Sequence, residues 1–300
     1  MQGLISKWRE KPMSYGEEVP YQEEKQDLPH QAKLDLWKTS FGLQAVDGLK
    51  PSKYMVELAN EHIEGRKSYE EIEDNLKRYY DSDESDYITK EADGVALRIA
   101  QLLSDDFFTL SSGSLLAIHK YLFTDIFTDF PVGKFRNVNI TKKEAVLEGA
   151  SVQYASHFLI QDTLDYDFKA EKNFSFKGMS QKEIGKHVMH FISDVWQIHP
   201  FREGNTRTMA VFAIKYLRSL GFTLDNQPFQ SHSDYFRDCL VLANASRELQ
   251  TTKYLNLFTE NLLFEGSNKL DRQNMIDRTK SILHGNSSHF PKPHHKGINR

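Results

Sequence analysis

Apolar residues recur every three or four positions along most of this 300-residue chain, which is the spacing of helices that bury one face. The pattern predicts three short helices near the N-terminus. The first ends at Gly48, the second lies between Ser52 and Gly65, and the third begins at Ser68 and ends near Tyr80. Longer helices are predicted over residues 87–104, 112–123, 151–165, 180–198, 205–220, 232–245 and 251–264. The sequence therefore predicts a mainly α protein.

Residues 133–149 have a different pattern, which favours a β-hairpin. Phe135, Val138 and Ile140 lie there beside residues that are typical of turns. We therefore expect one small β element in an otherwise helical chain.

Changes in composition divide the chain into four regions. Residues 1–30 are polar and contain three prolines, which predicts an extended arm. Residues 31–82 form a small helical module, and a charged linker separates it from a larger helical domain over residues 87–265. Residues 266–300 are expected to be a mobile tail, in which three histidines are better explained as solvated residues than as a metal site.

The overall composition limits the kinds of partner that the protein is expected to bind and the compartment in which it is expected to lie. The formal net charge of −4 argues against general nucleic-acid binding and favours a protein or small-molecule partner. No apolar run approaches the roughly 18 residues of a membrane span, and no signal peptide is recognisable, so we expect a cytoplasmic protein without membrane contact. The single cysteine, Cys239, excludes an internal disulfide. The oligomeric state stays open, with a dimer as one alternative.

The segment His199-Pro-Phe-Arg-Glu-Gly-Asn-Thr-Arg207 lies between two predicted buried helices and combines residues suited to a phosphate. The first N–H groups of a helix bind anions, so Gly204, Asn205 and Thr206 offer main-chain donors and Arg207 adds a full positive charge. Glu203 has the carboxylate that Mg²⁺ prefers, and His199 has a pKa suited to accepting a proton.

The spacing of this segment resembles the Fic motif, His-x-Phe-x-(Asp/Glu)-Gly-Asn-x-Arg, and the resemblance spans Leu122 to Leu220. It implies a Fic-type helical bundle with a small β-hairpin flap, preceded by a small helical domain. It also implies an adenylyltransferase that uses ATP and Mg²⁺ to modify a Ser, Thr or Tyr hydroxyl of a target protein. Two alternatives remain: a transferase with another nucleotide or phosphate donor, and a catalytically weak nucleotide-binding regulator.

The resemblance assigns roles to the residues of the motif. His199 is implied as the base, Glu203 as the magnesium ligand and Arg207 as the ligand of the β-phosphate. Asn205 either orients the α-phosphate or caps the turn, and Thr206 stands where glycine is frequent in the family. In the expected flap, Gly133-x-x-Arg-x-Val138 is similar to a family segment. Asn139, Ile140 and Thr141 are then expected to hold a target peptide by strand addition.

The N-terminal module resembles the small antitoxin domain that accompanies some Fic toxins. In that family a glutamate of the antitoxin helix pairs with a second motif arginine and blocks the γ-phosphate. Here the corresponding segment is Leu43-Gln-Ala-Val-Asp47-Gly48, so the carboxylate is Asp47, a shortened and degenerate form of the inhibitory residue, and the second arginine is replaced by Ala210. We therefore expect Asp47 to lack its partner, and inhibition to be weak or to use another contact.

Overall fold

The computed structural model describes residues 28–82 and 87–285, and within these ranges the chain is a set of packed helices. Most of the predicted arm over residues 1–30, part of the charged linker and the last 15 residues, with their three histidines, lie outside the described residues. No helix of the described ranges is long and apolar enough to cross a membrane.

Twelve α-helices follow one another along the described ranges. They are α1 His30–Gly42, α2 Lys53–Ile63, α3 Tyr69–Tyr80, α4 Lys90–Leu103, α5 Ser112–Phe123, α6 Ile160–Asn173, α7 Gln181–Ile198, α8 Asn205–Ser219, α9 Gln227–Ser231, α10 Ser233–Ala243, α11 Lys253–Leu263 and α12 Arg272–Gly285. Short 3₁₀ helices lie at Leu43–Asp47, Tyr87–Thr89, Ala145–Leu147 and His157–Leu159. The prediction of a mainly helical chain is confirmed.

Serine caps fix the beginnings of several helices where the sequence indicates them. Ser68 and Ser180 each form a capping box with the glutamate three residues later. Ser52 accepts a hydrogen bond from the main-chain N–H of Met55 at 2.9 Å. Each cap satisfies a backbone donor that the first turn of a helix leaves without a partner.

Helix α8 lies at the centre of the larger domain. Every residue from Asn205 to Leu217 is buried, and the helix packs against α4, α5 and α7. A helix that is buried on all sides needs apolar residues around its whole circumference, as the sequence after the motif provides. The N-terminal end of this helix is consequently held in place by the core of the domain.

The N-terminal helices have a hydrophobic cluster of their own that extends onto α4. Trp37, Met55 and Ile72 pack there with Leu97 and Ala100 of α4. One interface therefore joins the small module to the helix that runs beside the centre of the larger domain.

A buried carboxylate strengthens this interface. Asp93 of α4 is completely buried and accepts hydrogen bonds from the main-chain N–H of Ser52 at 2.7 Å, from its hydroxyl at 2.5 Å and from the Tyr80 hydroxyl at 2.6 Å. Three donors offset much of the free-energy penalty of burying a carboxylate. Burial nevertheless raises the pKa of Asp93, while the hydrogen bonds from Ser52 and Tyr80 act in the opposite direction.

Buried His119 of α5 ties the loop between α7 and α8 to the core. Its Nε2 lies 3.2 Å from the main-chain oxygen of Glu203, and the N–H of Gly133 donates to its Nδ1 at 3.0 Å. The ring also stacks on Phe201, with 3.8 Å between ring centroids. A carbonyl oxygen only accepts and an N–H only donates, so His119 is neutral with its proton on Nε2. Burial lowers its pKa to about 4.

The predicted hairpin over residues 133–149 is wrong, since no residue of the described ranges is in a β-strand. The main-chain N–H groups of this segment have partners other than a strand. Arg136 donates to Pro200 O at 2.8 Å, Lys142 to the Ser151 hydroxyl at 3.2 Å and Glu144 to Ala150 O at 2.9 Å. The segment is therefore a loop held by irregular contacts and one 3₁₀ turn.

Two further expectations need correction. The helix predicted over residues 151–165 instead occupies Ile160–Asn173, after an irregular stretch and a 3₁₀ turn. The predicted mobile tail is wrong for residues 266–285, because α12 forms there and buries Met275 and Thr279. Arg272 of α12 also forms ion pairs with Asp234 and Asp238 of α10, each at 2.7 Å. These contacts come from residues far away in sequence, which local polarity does not reveal.

We expect Ser52→Ala to lower the free energy of unfolding by about 1–3 kcal/mol, because it removes a helix cap and the hydroxyl that donates to buried Asp93. Ser68→Ala is the matched control, since it removes an exposed cap alone and is expected to lower stability by about 1 kcal/mol or less. Urea denaturation measures both variants. Equal losses would contradict a role for the Asp93 contacts.

Acid is expected to destabilise the protein through His119. A histidine whose folded pKa is lowered contributes stability above its unfolded pKa and loses it as the pH falls toward the folded pKa. Since one pKa unit corresponds to about 1.4 kcal/mol, the fall in pKa to about 4 implies a loss of roughly 3 kcal/mol between pH 6.5 and 4. His119→Gln should flatten this slope in denaturation series. Parallel curves for the two proteins would exclude the effect.

Candidate active site

The motif predicted from the sequence forms the loop between α7 and α8, and its shape depends on two residues in the left-handed backbone region. His199 ends α7 with a φ of 51°, and Gly204 precedes α8 with a φ of 75°. A Cβ atom at position 204 would lie 2.4 Å from the ring of Phe123. Glycine is therefore required at position 204 both by the backbone conformation and by the neighbouring ring.

Asn205 holds the loop closed with both ends of its side-chain amide. Its Oδ1 accepts from the main-chain N–H of Phe201 and its Nδ2 donates to the main-chain oxygen of Phe201, each at 2.9 Å. Of the two roles that the sequence leaves open, the structure shows the turn-capping one. Asn205 therefore positions the loop through both ends of its side-chain amide.

The beginning of α8 faces a narrow recess, which is lined by His199, Glu203, Gly204, Asn205 and Thr206 together with Asp47, Lys142, Glu144 and Arg237. The first N–H groups of an α-helix have no carbonyl partner within the helix and carry partial positive charge. The Thr206 hydroxyl accepts from Trp196 Nε1 at 3.1 Å, which fixes its side chain. The recess therefore has main-chain donors suited to an anion.

His199 lies buried at the edge of this recess as a neutral imidazole. Its Nδ1 is 3.3 Å from the main-chain oxygen of Trp196, so Nδ1 carries the proton and Nε2 is the basic atom. The Tyr154 ring stacks on the imidazole, with 4.1 Å between centroids and 24° between planes. Burial, with a smaller contribution in the same direction from the charge of Lys142, lowers the pKa of His199 to about 3. His199 is consequently unprotonated at neutral pH.

A buried arginine, Arg136, holds the end of α7 that carries His199. Its Nε donates to His199 O at 2.8 Å, Nη2 donates to Ile198 O at 3.3 Å and to Ala155 O, and Nη1 donates to Val138 O at 2.6 Å. A cation is favourable at the C-terminal end of a helix, where carbonyl groups lack partners. The sequence indicates Arg136 only as part of a family-like segment, and its role as an anchor follows from the structure.

Arg207 is almost completely buried and is engaged by three residues of other segments. Nη2 donates to Glu91 Oε1 of α4 at 2.6 Å, and Nη1 donates to Gln44 Oε1 at 3.1 Å. Asp47 Oδ2 lies 2.8 Å from Nε. Asp47 thus lacks the second motif arginine, as Ala210 predicts, and pairs instead with the arginine that the motif retains.

One donor of Arg207 is poorly satisfied. The contact between Nε and Asp47 is close enough for an ion pair, but its angle does not meet hydrogen-bond geometry, and Nε has no other acceptor among the described residues. A buried N–H group without an acceptor is destabilising by about 1–3 kcal/mol. The guanidinium is thus neutralised in charge, although one of its donors is poorly satisfied.

A larger cavity of about 640 Å³ opens beside the recess, and Arg207 and Glu203 line both its wall and the approach to α8. Within the described residues, five carboxylates line it: Asp47, Glu91, Glu203, Asp234 and Asp238. Four basic side chains accompany them: Lys142, Arg207, Arg237 and Arg272. The formal charge of the wall is therefore slightly negative, which opposes a polyphosphate unless a cation accompanies it or a carboxylate moves away.

Glu203 is the residue best suited to a magnesium ion. Its side chain is exposed at the cavity, and no hydrogen bond or ion pair to its carboxylate is recorded within the described residues. A hard oxygen donor in this position fits Mg²⁺, which usually takes one or two carboxylates and completes its shell with water and substrate phosphates. The described residues contain no group of three His, Cys, Asp or Glu side chains placed to hold a metal ion.

Two residues that the sequence does not single out complete the wall. Glu144 is buried in the loop after Arg136, and Arg237 of α10 donates to its Oε2 at 2.6 Å. The Tyr154 hydroxyl donates to Oε1 of Glu144 at 3.3 Å. A chain of contacts therefore runs from α10 through the loop to the ring that stacks on His199.

The residues expected to hold a target peptide lie on the same loop, in a different conformation. The Asn139 side-chain oxygen lies 2.9 Å from the main-chain N–H of His157 and 3.1 Å from its ring Nδ1. Ile140 is half-buried and Thr141 is exposed, immediately before Lys142. Asn139 thus holds the following 3₁₀ turn, and no strand presents residues 139–141.

Comparisons with known proteins identify a matching family and a similar fold. A family model described as Fic/DOC family matches residues 109–217. A Fic family protein from Desulfovibrio desulfuricans G20 has a similar structure, with a TM-score of 0.54 at 12% identity over 89% of this chain and 69% of that one. This similarity shows a shared fold. Curated protein sequences give no significant match.

Two weaker structural similarities involve Bartonella effectors. The N-terminal Fic domain of a Bep effector from Bartonella sp. AR 15-3 gives a TM-score of 0.46 at 18% identity, over 66% of this chain and 84% of that one. The BepC protein of Bartonella tribocorum, with bound AMPPNP, gives 0.43 at 16% identity, over 72% and 92%.

The family match spans α5, the loop of Arg136, helices α6 and α7, the motif and nearly all of α8. These are the elements that place His199 beside the first N–H groups of α8. Residues 109–217 of this chain therefore match the Fic/DOC family, and the motif from His199 to Arg207 lies within the matched range.

Proposed function

We propose that this protein is a Fic-type transferase that moves AMP from ATP to a Ser, Thr or Tyr hydroxyl of a target protein. The observation that carries the proposal is the recess that brings a neutral, buried imidazole next to the beginning of α8 and to Glu203. Phosphoryl and nucleotidyl transfer depend mainly on positioning and charge stabilisation, which these groups can supply.

His199 is the general base in this mechanism. A target hydroxyl gives its proton to Nε2 as its oxygen forms a bond to the α-phosphorus, and the bond from that phosphorus to the bridging oxygen breaks. Pyrophosphate leaves with the electron pair. Because Nδ1 is held by Trp196 O, the imidazole keeps one tautomer and one orientation during this transfer.

The beginning of α8 stabilises the negative charge that develops on the α-phosphate. The N–H groups of its first turn are fixed before substrate arrives, since Asn205 and Thr206 hold the turn from both sides. Asn205 acts as a positioning residue in this step, through Phe201, and touches no reacting atom.

Glu203 is the side chain that would hold Mg²⁺. When bound, the ion would neutralise part of the phosphate charge. The Glu203 carboxylate is exposed to the cavity, and the Glu203 main chain is held by His119. The backbone of this residue is therefore fixed, while its carboxylate is available to the ion.

Arg207 is the ligand proposed for the β-phosphate, and in the arrangement described it is held by Asp47 and Glu91. A phosphate must therefore replace at least one carboxylate to reach the guanidinium. The 3₁₀ helix that carries Asp47 belongs to the N-terminal module, so the module restrains the site. We propose that this pairing lowers activity through the retained arginine, in place of the absent arginine at position 210.

Two other functions compete with AMP transfer. Ala210 removes a charged contact to the end of a triphosphate, which favours a different nucleotide or phosphate donor. The full engagement of Arg207 favours a regulator that binds nucleotide and turns over weakly. The following experiment separates the three.

Incubation with Mg²⁺ and ATP labelled at the α-phosphate is expected to label the protein itself, or proteins of an added extract, while ATP labelled at the γ-phosphate leaves no label. His199→Ala is expected to reduce the labelling rate by about 10²–10⁴-fold, because it removes the base. Covalent label from the γ-phosphate would indicate phosphorylation. Measurable ATP binding without label from either position would favour the regulator.

Asp47→Asn is expected to increase the labelling rate about tenfold, because the charge that competes with phosphate for Arg207 is removed. Glu57→Gln, an exposed carboxylate on α2, is the matched control and should leave the rate unchanged. The initial rate of labelling at subsaturating ATP measures both. A rate for Asp47→Asn at or below that of the wild type would show that the ion pair does not restrain the site.

A further inference from the structure

The charge available to a triphosphate in this site is small. Position 210 is a buried alanine of α8, and it offers no donor. Arg207 is the only basic residue of the motif that reaches the cavity wall. A nucleotide with several phosphates therefore needs a positive side chain from outside the motif.

Most basic side chains around the cavity are already paired. Arg237 donates to Glu144 at 2.6 Å, and Arg272 lies 2.7 Å from each of Asp234 and Asp238. Arg207 is held by the two carboxylates described above. Moving any of these arginines toward a ligand would leave a carboxylate behind, partly buried and unpaired, which is unfavourable.

Lys142 differs from these arginines. Across residues 28–82 and 87–285, no ion pair or side-chain hydrogen bond is recorded for its ammonium group. Its side chain is half-buried and lines both the larger cavity and the recess that contains His199 and Glu203. It is therefore a positive charge at the substrate side of the site that is not engaged by a carboxylate.

The position of Lys142 is fixed by its backbone and by its neighbours. Its main-chain N–H donates to the Ser151 hydroxyl at 3.2 Å, and that of Glu144 donates to Ala150 O at 2.9 Å. Glu144 lies two residues after Lys142, and its carboxylate accepts a hydrogen bond from Arg237. The loop thus presents the lysine from a constrained base, while its long side chain stays free to reach a ligand.

The ammonium group also lies close enough to His199 for its charge to lower the pKa of the imidazole. After burial, the charge of Lys142 is the largest influence that lowers the pKa of that imidazole. A phosphate placed between the base and the beginning of α8 is therefore within the field of the same lysine. Lysine binds phosphate as a flexible point charge, which suits a ligand that arrives in a preformed recess.

We propose that Lys142 binds the phosphate chain of the nucleotide beside His199 and supplies the positive charge that position 210 lacks. This inference rests on the proposed nucleotide-transfer function. Lys142 would then contact the substrate directly, and its contribution to affinity would increase with the number of phosphates. AMP carries a single phosphate, so ATP should depend on Lys142 more strongly than AMP does.

Isothermal titration calorimetry of Mg²⁺–ATP and of AMP tests the inference, with the full chain and in a second series that also carries Asp47→Asn, so that Arg207 is accessible. Lys142→Met is expected to weaken ATP binding roughly tenfold to a hundredfold and AMP binding by a much smaller factor. Lys142→Arg should keep most of the affinity. Lys143→Met, the exposed neighbour on the same loop, is the matched control and should bind ATP like the parent protein.

The outcomes distinguish a failure of the role proposed for Lys142 from a failure of the proposed function. If neither the parent nor Asp47→Asn binds either nucleotide, the proposed function fails, and the role of Lys142 fails with it. If both bind but Lys142→Met retains full affinity for ATP, or loses ATP and AMP equally, only the role of Lys142 is overturned. Thermal unfolding of each variant confirms that the compared proteins are folded, which keeps a loss of binding from reflecting a loss of structure.

Discussion

The buried guanidinium of Arg136 is the contact on which the geometry of the site depends. It donates to carbonyl oxygens at the end of α7 and in the loop that follows Arg136, and so joins two segments that are 62 residues apart in sequence. All the partners recorded for it within the described residues are main-chain carbonyls, which suits a cation at the C-terminal end of a helix. Burial lowers the pKa of Arg136, yet an arginine stays charged in proteins. The orientation of His199, and the course of the loop that presents Lys142 and Tyr154, follow from this one side chain.

Arg207 has the corresponding role on the other side of the site, where it joins the motif to the N-terminal module through Asp47 and Gln44. The module packs on α4 through apolar residues and through Asp93, and α4 in turn brings Glu91 to the guanidinium. Asp47 reaches the same group from the 3₁₀ helix after α1. The module is thus joined to the larger domain by a hydrophobic interface and, through Asp47, to Arg207 by charge. A change of either contact alters how freely Arg207 meets an anion.

Sequence periodicity and capping residues predict most of the helices well, because both depend on near neighbours. Helix α5 matches its predicted range, and α7 begins one residue after Ser180, which caps it. Features set by distant residues are not predicted. The loop after Gly133 does not become a hairpin because its backbone donors bond to Pro200, Ser151 and Ala150, and α12 forms in a polar segment because Arg272 pairs with α10. The motif residues are found from spacing, whereas the actual partner of Asp47 requires the positions of Arg207 and Glu91.

The stacking of Tyr154 on His199 has a consequence for the environment of the reaction. The tyrosine covers one face of the imidazole and is itself tethered, through its hydroxyl and Glu144, to Arg237 of α10. The imidazole is buried, and Lys142 lines the same recess. Burial and, to a smaller extent, the charge of Lys142 both disfavour the protonated imidazole. In the proposed function, a bound polyanion would offset that charge and raise the proton affinity of the base. Nucleotide binding would thereby make His199 a stronger base. Without nucleotide, the imidazole would have little capacity to activate a stray hydroxyl or water molecule.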